Sequence, residues 1–238
     1  MNKIIYIISL FTLVVIFITS CEKKVTTEDV SQITYFVTFE LDGQQVMTLP
    51  QGTPYSEPGF TAKEDVDDVT NEVTIEGEVI DTVVGLYTLS YSAINKDGYE
   101  SSIVRTVIVY DPTAPDIDIS GRYLSTVARV SPAESYTDLD SDETPIMVSY
   151  VAPGFFEFTH LLGGFYALGR EYGNNYAMHG YLKLNADNSL EYISSFLPGW
   201  GDSLDGISDG TYNPVTGEIS FSSYYVVYQF NITLTPKP

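Results

Sequence analysis

The segment Val84-Gly85-Leu86-Tyr87-Thr88-Leu89-Ser90-Tyr91-Ser92-Ala93 alternates its side chains with a period of two. Leu86, Thr88 and Ser90 fall on one face, and Tyr87, Leu89, Tyr91 and Ala93 on the other, which is the pattern of a strand and not of a helix. Lys96-Asp97-Gly98 then reads as a hairpin turn, and Ser101 to Tyr110 as the returning strand. The same pattern runs upstream. Ile33, Tyr35, Val37, Phe39 and Leu41 alternate with other residues, Asp42-Gly43 turns, and Val46 to Leu49 resumes a short strand. Thr53 to Gly59 carries two prolines, which place it at an edge or in a loop. Glu72 to Val79 is a further strand, interrupted by Gly77. About six or seven short strands in about 80 residues, with turns at regular spacing, predict an all-β sandwich over residues 33–110.

The residues of this region also carry a family resemblance. Thr53-Pro54-Tyr55-Ser56-Glu57-Pro58-Gly59-Phe60-Thr61-Ala62 has the form Y-x-x-P-G-x-x-A, and Gly85 to Ala93 with Asp97-Gly98 has the form G-x-Y-x-x-x-Y-x-A … D-G. Together they resemble a bacterial immunoglobulin-like module of the kind that recurs in cell-surface proteins. The resemblance implies an N-terminal immunoglobulin-like β-sandwich that serves as a spacer.

Asp111-Pro112-Thr113-Ala114-Pro115 follows, and its prolines mark residues 111–116 as a linker. Residues 117–238 read as a second antiparallel β domain, a barrel or a sandwich. Strands are expected over Gly121 to Val130, Ile146 to Tyr150, Phe155 to Leu161, Phe165 to Tyr172, Tyr176 to Leu184, Ser189 to Ser194 and Tyr224 to Leu234. Tyr136 to Thr144 is expected to be an acidic loop and Leu197 to Gly210 a long glycine-rich one. No segment keeps a helical period, so the fold class is all-β.

The N-terminus has the layout of a secretory signal: Lys3, an apolar run from Ile4 to Ile18, then small residues before Cys21. Ile18-Thr19-Ser20-Cys21 resembles the lipobox of bacterial lipoproteins, which implies cleavage after residue 20 and lipidation of Cys21. Residues 21–32 then form a flexible tether. Glu22-Lys23-Lys24 lacks the aspartate associated with inner-membrane retention, and by that resemblance the expected location is the outer membrane, at the cell surface. An uncleaved anchor is the alternative, although the apolar run falls short of the roughly 20 residues of a spanning helix. The tandem of lipobox, immunoglobulin-like module and β domain resembles surface lipoproteins of Bacteroidota, many of which accompany glycan-capture systems.

Composition bounds the chemistry. The chain is 44% apolar, rich in aromatic rings with 19 Tyr and 12 Phe, and has a single cysteine. That leaves the body without an intramolecular disulfide, a thiolate metal site or a cysteine nucleophile. The formal net charge of -21 argues against nucleic acid, whose phosphates need clustered Lys and Arg. It also sets the body against anionic lipid headgroups, so membrane contact is expected through the lipid alone.

Two constellations stand out. Asp138-Leu139-Asp140-Ser141-Asp142 spaces carboxylates as a Ca²⁺ loop does, but Glu143 replaces the glycine of the sixth position, and a solvated acidic loop is the competing reading. No other cofactor is expected. Phe196-Leu197-Pro198-Gly199-Trp200-Gly201-Asp202 holds the only tryptophan in a glycine-flanked loop. Sugar rings stack their C–H faces on aromatic planes while polar groups bond their hydroxyls, so Trp200 and Phe196, with Asp202, Arg170, Asn174 and Asn175, form a candidate glycan site. The competing reading has Trp200 plugging one end of the β core. His160 and His179 lie on apolar segments without partners, and G-x-S-x-G and phosphate-cradling motifs are absent. The sequence therefore predicts a non-catalytic, lipid-anchored protein that binds glycan or another extracellular ligand. The alternative is an accessory subunit of an outer-membrane protein complex with no ligand site of its own.

Overall fold

The computed structural model describes residues 33–238; the signal, Cys21 and the tether lie outside the described residues. Residues 37–110 fold as two sheets. One is formed by β1 (Val37–Leu41), β3 (Phe60–Glu64) and β4 (Asp67–Asp68). The other runs β2 (Val46–Pro50), β7 (Glu100–Tyr110), β6 (Gly85–Ile94), β5 (Thr74–Glu76), with β2 parallel to β7 and the remaining pairs antiparallel. The alternation of Gly85–Ile94 now has a cause. Leu89, Tyr91 and Ala93 are buried, while Leu86 on the opposite face packs toward the second region. Ile33 and Tyr35 remain exposed and outside any strand, so β1 is shorter than the alternation predicted.

The proline-glycine segment is fastened by Arg105, whose side chain is fully buried. A buried guanidinium is costly unless its donors are met. Arg105 donates to the carbonyls of Gln44 (2.6 Å), Asp42 (2.9 Å) and Gly59 (3.1 Å), and pairs with Glu57 at 2.9 Å. Burial pushes the Glu57 carboxyl up. Hydrogen bonds from Tyr55, Tyr91 and the Gly59 backbone, with the Arg105 charge, outweigh that and hold it below the usual range. Gly59 has φ +119°, and a Cβ there would come within 2.6 Å of the Asp42 carboxylate. This is why the segment needs its glycine and its glutamate.

Residues 121–236 supply β8 (Gly121–Arg129), β9 (Glu134–Leu139), β10 (Met147–Ala152), β11 (Phe155–Phe158), β12 (His179–Leu184), β13 (Leu190–Phe196), β14 (Gly206–Tyr212), β15 (Ile219–Tyr225) and β16 (Tyr228–Pro236). They form one antiparallel sheet in the order β13-β12-β11-β10-β8-β16-β15-β14, with β9 paired to β8. A bridge between Ser189 and Thr211, and the Tyr212 N–H donating to Asn188, bring the β13 and β14 edges together into a nearly closed barrel. Its interior is one continuous apolar core that includes Val127, Phe158, Phe165, Leu182, Phe221 and Phe230.

Three sequence expectations change here. Phe165 to Tyr172 is not a strand: Phe165–Gly169 is a π-helical turn. Gly163 and Gly164 both have positive φ and swing the chain into the barrel. A Cβ on Gly163 would meet Val127, Ile232 and Ser125 at 2.9–3.0 Å. Part of the acidic segment is strand β9, and the long loop after Leu197 ends at Gly206, where β14 begins. The two regions also touch. Val84, Leu86, Ile108 and Tyr110 share a cluster with Val151, Ala152, Phe155, Tyr181 and Ile193, so residues 111–116 join packed neighbours and do not span a gap.

Candidate functional site

The loop after β13 is closed tightly on Leu197, which is fully buried. Leu197 donates its N–H to the Asp202 carbonyl (2.7 Å) and accepts from Gly201 (2.8 Å) and Trp200 (3.3 Å) through its own. Gly201, at φ +74°, permits the turn. The Gly199 N–H donates to the Asn175 carbonyl at 2.7 Å, and a Cβ on Gly199 would press on the Tyr176 ring at 2.7 Å. The small residues flanking Trp200 thus let this loop lie directly against the 3₁₀ turn Asn174–Tyr176.

Trp200 is thereby set over the barrel end that the π-turn fills. Its ring lies nearly parallel to Tyr225 (13°, centroids 6.0 Å apart) and meets Tyr166 and Tyr176 edge-on, each at 4.9 Å. Tyr172 stands at 6.5 Å and itself stacks on Tyr166. Trp200 covers the core end, yet 44% of it stays exposed, beside Tyr172 at 47%. The Tyr225 hydroxyl donates to both carboxylate oxygens of Asp202 at 2.9 Å. Burial first, and then that bond, push the Tyr225 phenol well above its ordinary value.

Of the predicted residues, the fold brings Trp200, Asp202 and the exposed Asn174-Asn175 turn together. Arg170 is already engaged: its Nε donates to Glu134 at 3.0 Å and a second nitrogen pairs with the same carboxylate. Arg129 joins at 2.7 Å and the Tyr136 hydroxyl at 2.6 Å. The Arg170 hydrogen bond, then that of Tyr136, hold the Glu134 carboxyl down at about 2. Phe196 does not join the patch. It lines a separate groove of about 240 Å³ with Leu86, Thr106, His179 and Tyr181, between the two regions. Tyr166, Tyr172, Tyr176 and Tyr225 were not singled out from the sequence. Their only signal is the abundance of tyrosine, because they converge from separate segments.

The expected Ca²⁺ loop is not formed. Asp140 is held by Arg122 at 2.8 Å and Lys237 at 2.6 Å, and Asp142 by Arg122 at 2.7 Å. Asp138 sits at φ 53° in β9. Cations of the chain itself therefore neutralise the loop, and among the described residues no three His, Cys, Asp or Glu side chains are grouped to hold a metal.

Fold and site define an all-β protein in which an immunoglobulin-like module precedes a barrel bearing a surface aromatic patch. The family model described as "Bacterial surface protein, Ig-like domain" matches residues 39–109. A second, described as "-like, C-terminal domain", matches residues 112–236, more than half of the chain. The chain belongs to the family that this C-terminal domain defines. Among solved structures it is similar to the lipoprotein BT2262 from Bacteroides thetaiotaomicron, at 34% identity over 84% of this chain and 100% of that one, with a TM-score of 0.46. It also aligns with the M60 catalytic domain with CBM51 domains from Clostridium perfringens ZmpB, at 15% identity, 54% of this chain, 14% of that one and a TM-score of 0.29. A likeness that slight carries no functional meaning. No curated protein matches.

Proposed function

We propose that the protein is a non-catalytic, lipid-anchored component of the cell envelope that binds a glycan at the Trp200 face of its C-terminal barrel. The observation that carries this is the half-exposed Trp200 ring, braced from behind by Tyr225 and at its edges by Tyr166 and Tyr176. A braced ring loses little freedom on binding and offers a flat apolar surface, while Asp202, Asn174 and Asn175 lie near enough to meet hydroxyls. The lipobox-like Ile18-Thr19-Ser20-Cys21 supports anchoring through Cys21, as does similarity to a protein that is named a lipoprotein. The outer membrane, cell-surface side, is the proposed location.

One observation favours a second reading, an accessory subunit that docks on a partner protein. Val226 and Val227, at the hairpin tip next to Tyr225, are 66% and 82% exposed. A glycan array probed with the full chain in detergent separates the two. The glycan reading expects binding that Trp200→Ala weakens by about tenfold or more, the loss of a central aromatic anchor. An array without hits, with a protein partner recovered through the Val226-Val227 tip, would contradict it.

A further inference from the structure

We infer that the Trp200 face takes an uncharged glycan, one that presents no sulfate, phosphate or carboxylate to the protein; this rests on the glycan reading above. Anionic sugars are recognised by a guanidinium or ammonium free to make charge-assisted bonds. Every Lys and Arg of the C-terminal region is already committed to a carboxylate. Arg122 is held by Asp140 and Asp142, Lys237 by Asp140, Lys183 by Glu191, and Arg129 and Arg170 by Glu134.

Around the patch itself Arg129 and Arg170, with their shared Glu134, matter most. Glu134 serves two guanidiniums, which leaves one positive charge in surplus, but both guanidiniums that share it are partnered. Arg129 is only 8% exposed in its side chain, donates to the Pro132 carbonyl, and lies against the rings of Phe165 and Tyr228. Arg170 is 32% exposed, yet it gives two of its nitrogens to Glu134 and rests over Phe165. The exposed charges in the patch segments are acids: Glu171 beside Arg170, and Asp202 and Asp205 in the loop that carries Trp200. Asp202 is kept in place by the Tyr225 hydroxyl, where it accepts hydrogen bonds from neutral hydroxyls and repels anions.

Ring geometry restricts the ligand further. The aromatic centroids are 4.9–6.5 Å from Trp200, so the rings touch one another and leave no cage between them for a quaternary ammonium. What remains is an open platform suited to the C–H face of a neutral sugar.

Affinity electrophoresis of the full chain in detergent, against neutral polysaccharides (mannan, laminarin, xyloglucan) and anionic ones (heparin, chondroitin sulfate, polygalacturonate), tests this. The expected result is retardation by a neutral polymer that is insensitive to ionic strength, with none by the anionic set. Trp200→Ala weakens that retardation by about tenfold or more. Tyr172→Ala, at the exposed outer ring, is the second variant should Trp200→Ala fold poorly. Retardation by an anionic polymer that weakens with salt and depends on Trp200 would overturn the charge assignment and leave the glycan reading standing. No retardation by any of the six would overturn the glycan reading itself, and the inference with it.

Discussion

His160 shows how much one side chain can decide. It is 3% exposed, its Nδ1 lies 2.7 Å from the Thr159 hydroxyl, and its Nε2 has no hydrogen-bond partner. Burial, and then the nearby His179, push its pKa down to about 4 from the ordinary 6.5. The unfolded chain therefore binds a proton between those values while the folded chain does not, so stability is full above pH 6.5 and falls as the pH drops toward 4. The loss over that window is about 3 kcal/mol. Urea unfolding at successive pH values should show it, and His160→Leu should flatten it. An unchanged slope in the variant would assign the acid loss to other groups. Glu134 works in a lower range: its depressed pKa adds stability that is present above the usual carboxylate value and lost as the pH falls toward about 2. Neither effect can be read from residue type. The sequence places His160 on an apolar run, but only the packed barrel tells that its Nε2 is sealed.

At the scale of elements, sequence and structure agree where a local pattern governs. The alternation of Leu89, Tyr91 and Ala93 and the turn at Asp97-Gly98 are short-range facts, and β6 and β7 follow them. Agreement ends where tertiary packing overrides the pattern. Phe165-Tyr166-Ala167 looks like strand because it is apolar, yet two positive-φ glycines ahead of it send it into the barrel as a π-turn. The aromatic patch was legible only through Trp200. Its tyrosines come from two other stretches, Tyr166, Tyr172 and Tyr176 from one and Tyr225 from β15, and no strand or helix period joins them. The β15–β16 hairpin adds a test. Tyr225 pairs with Tyr228, so Val226 and Val227 form a two-residue loop, and Val226 has φ 58°. A β-branched residue is strained there, whereas glycine is the residue that a two-residue turn with positive φ at its first position favours. Val226→Gly should stabilise the protein by about 1 kcal/mol, measured by urea midpoint at constant slope. A lower midpoint would mean that the valine makes contacts that outweigh the strain.

The chain is strongly acidic in composition, and among the described residues nearly every Lys and Arg is paired with a carboxylate of the fold. Self-repulsion of that kind favours solubility, and it leaves packing to hold the body together in a chain with one cysteine. The shared cluster around Ile108 and Phe155 couples the immunoglobulin-like region to the barrel, a coupling that the proline-bearing linker did not foretell. Anchoring has its own prediction. Cys21→Ala should move the protein from the membrane fraction to the soluble one, because a body this acidic has little attraction for anionic lipid; unchanged fractionation would contradict lipidation. The central claim, that Trp200 is the ligand platform, is tested most directly by its own fluorescence, since it is the only tryptophan. Without ligand, emission should be that of a half-exposed indole quenched by acrylamide. A saturating neutral glycan should shift it to the blue and protect it from the quencher. Blue, unquenched emission in the free protein, or no change while the glycan binds, would contradict the account.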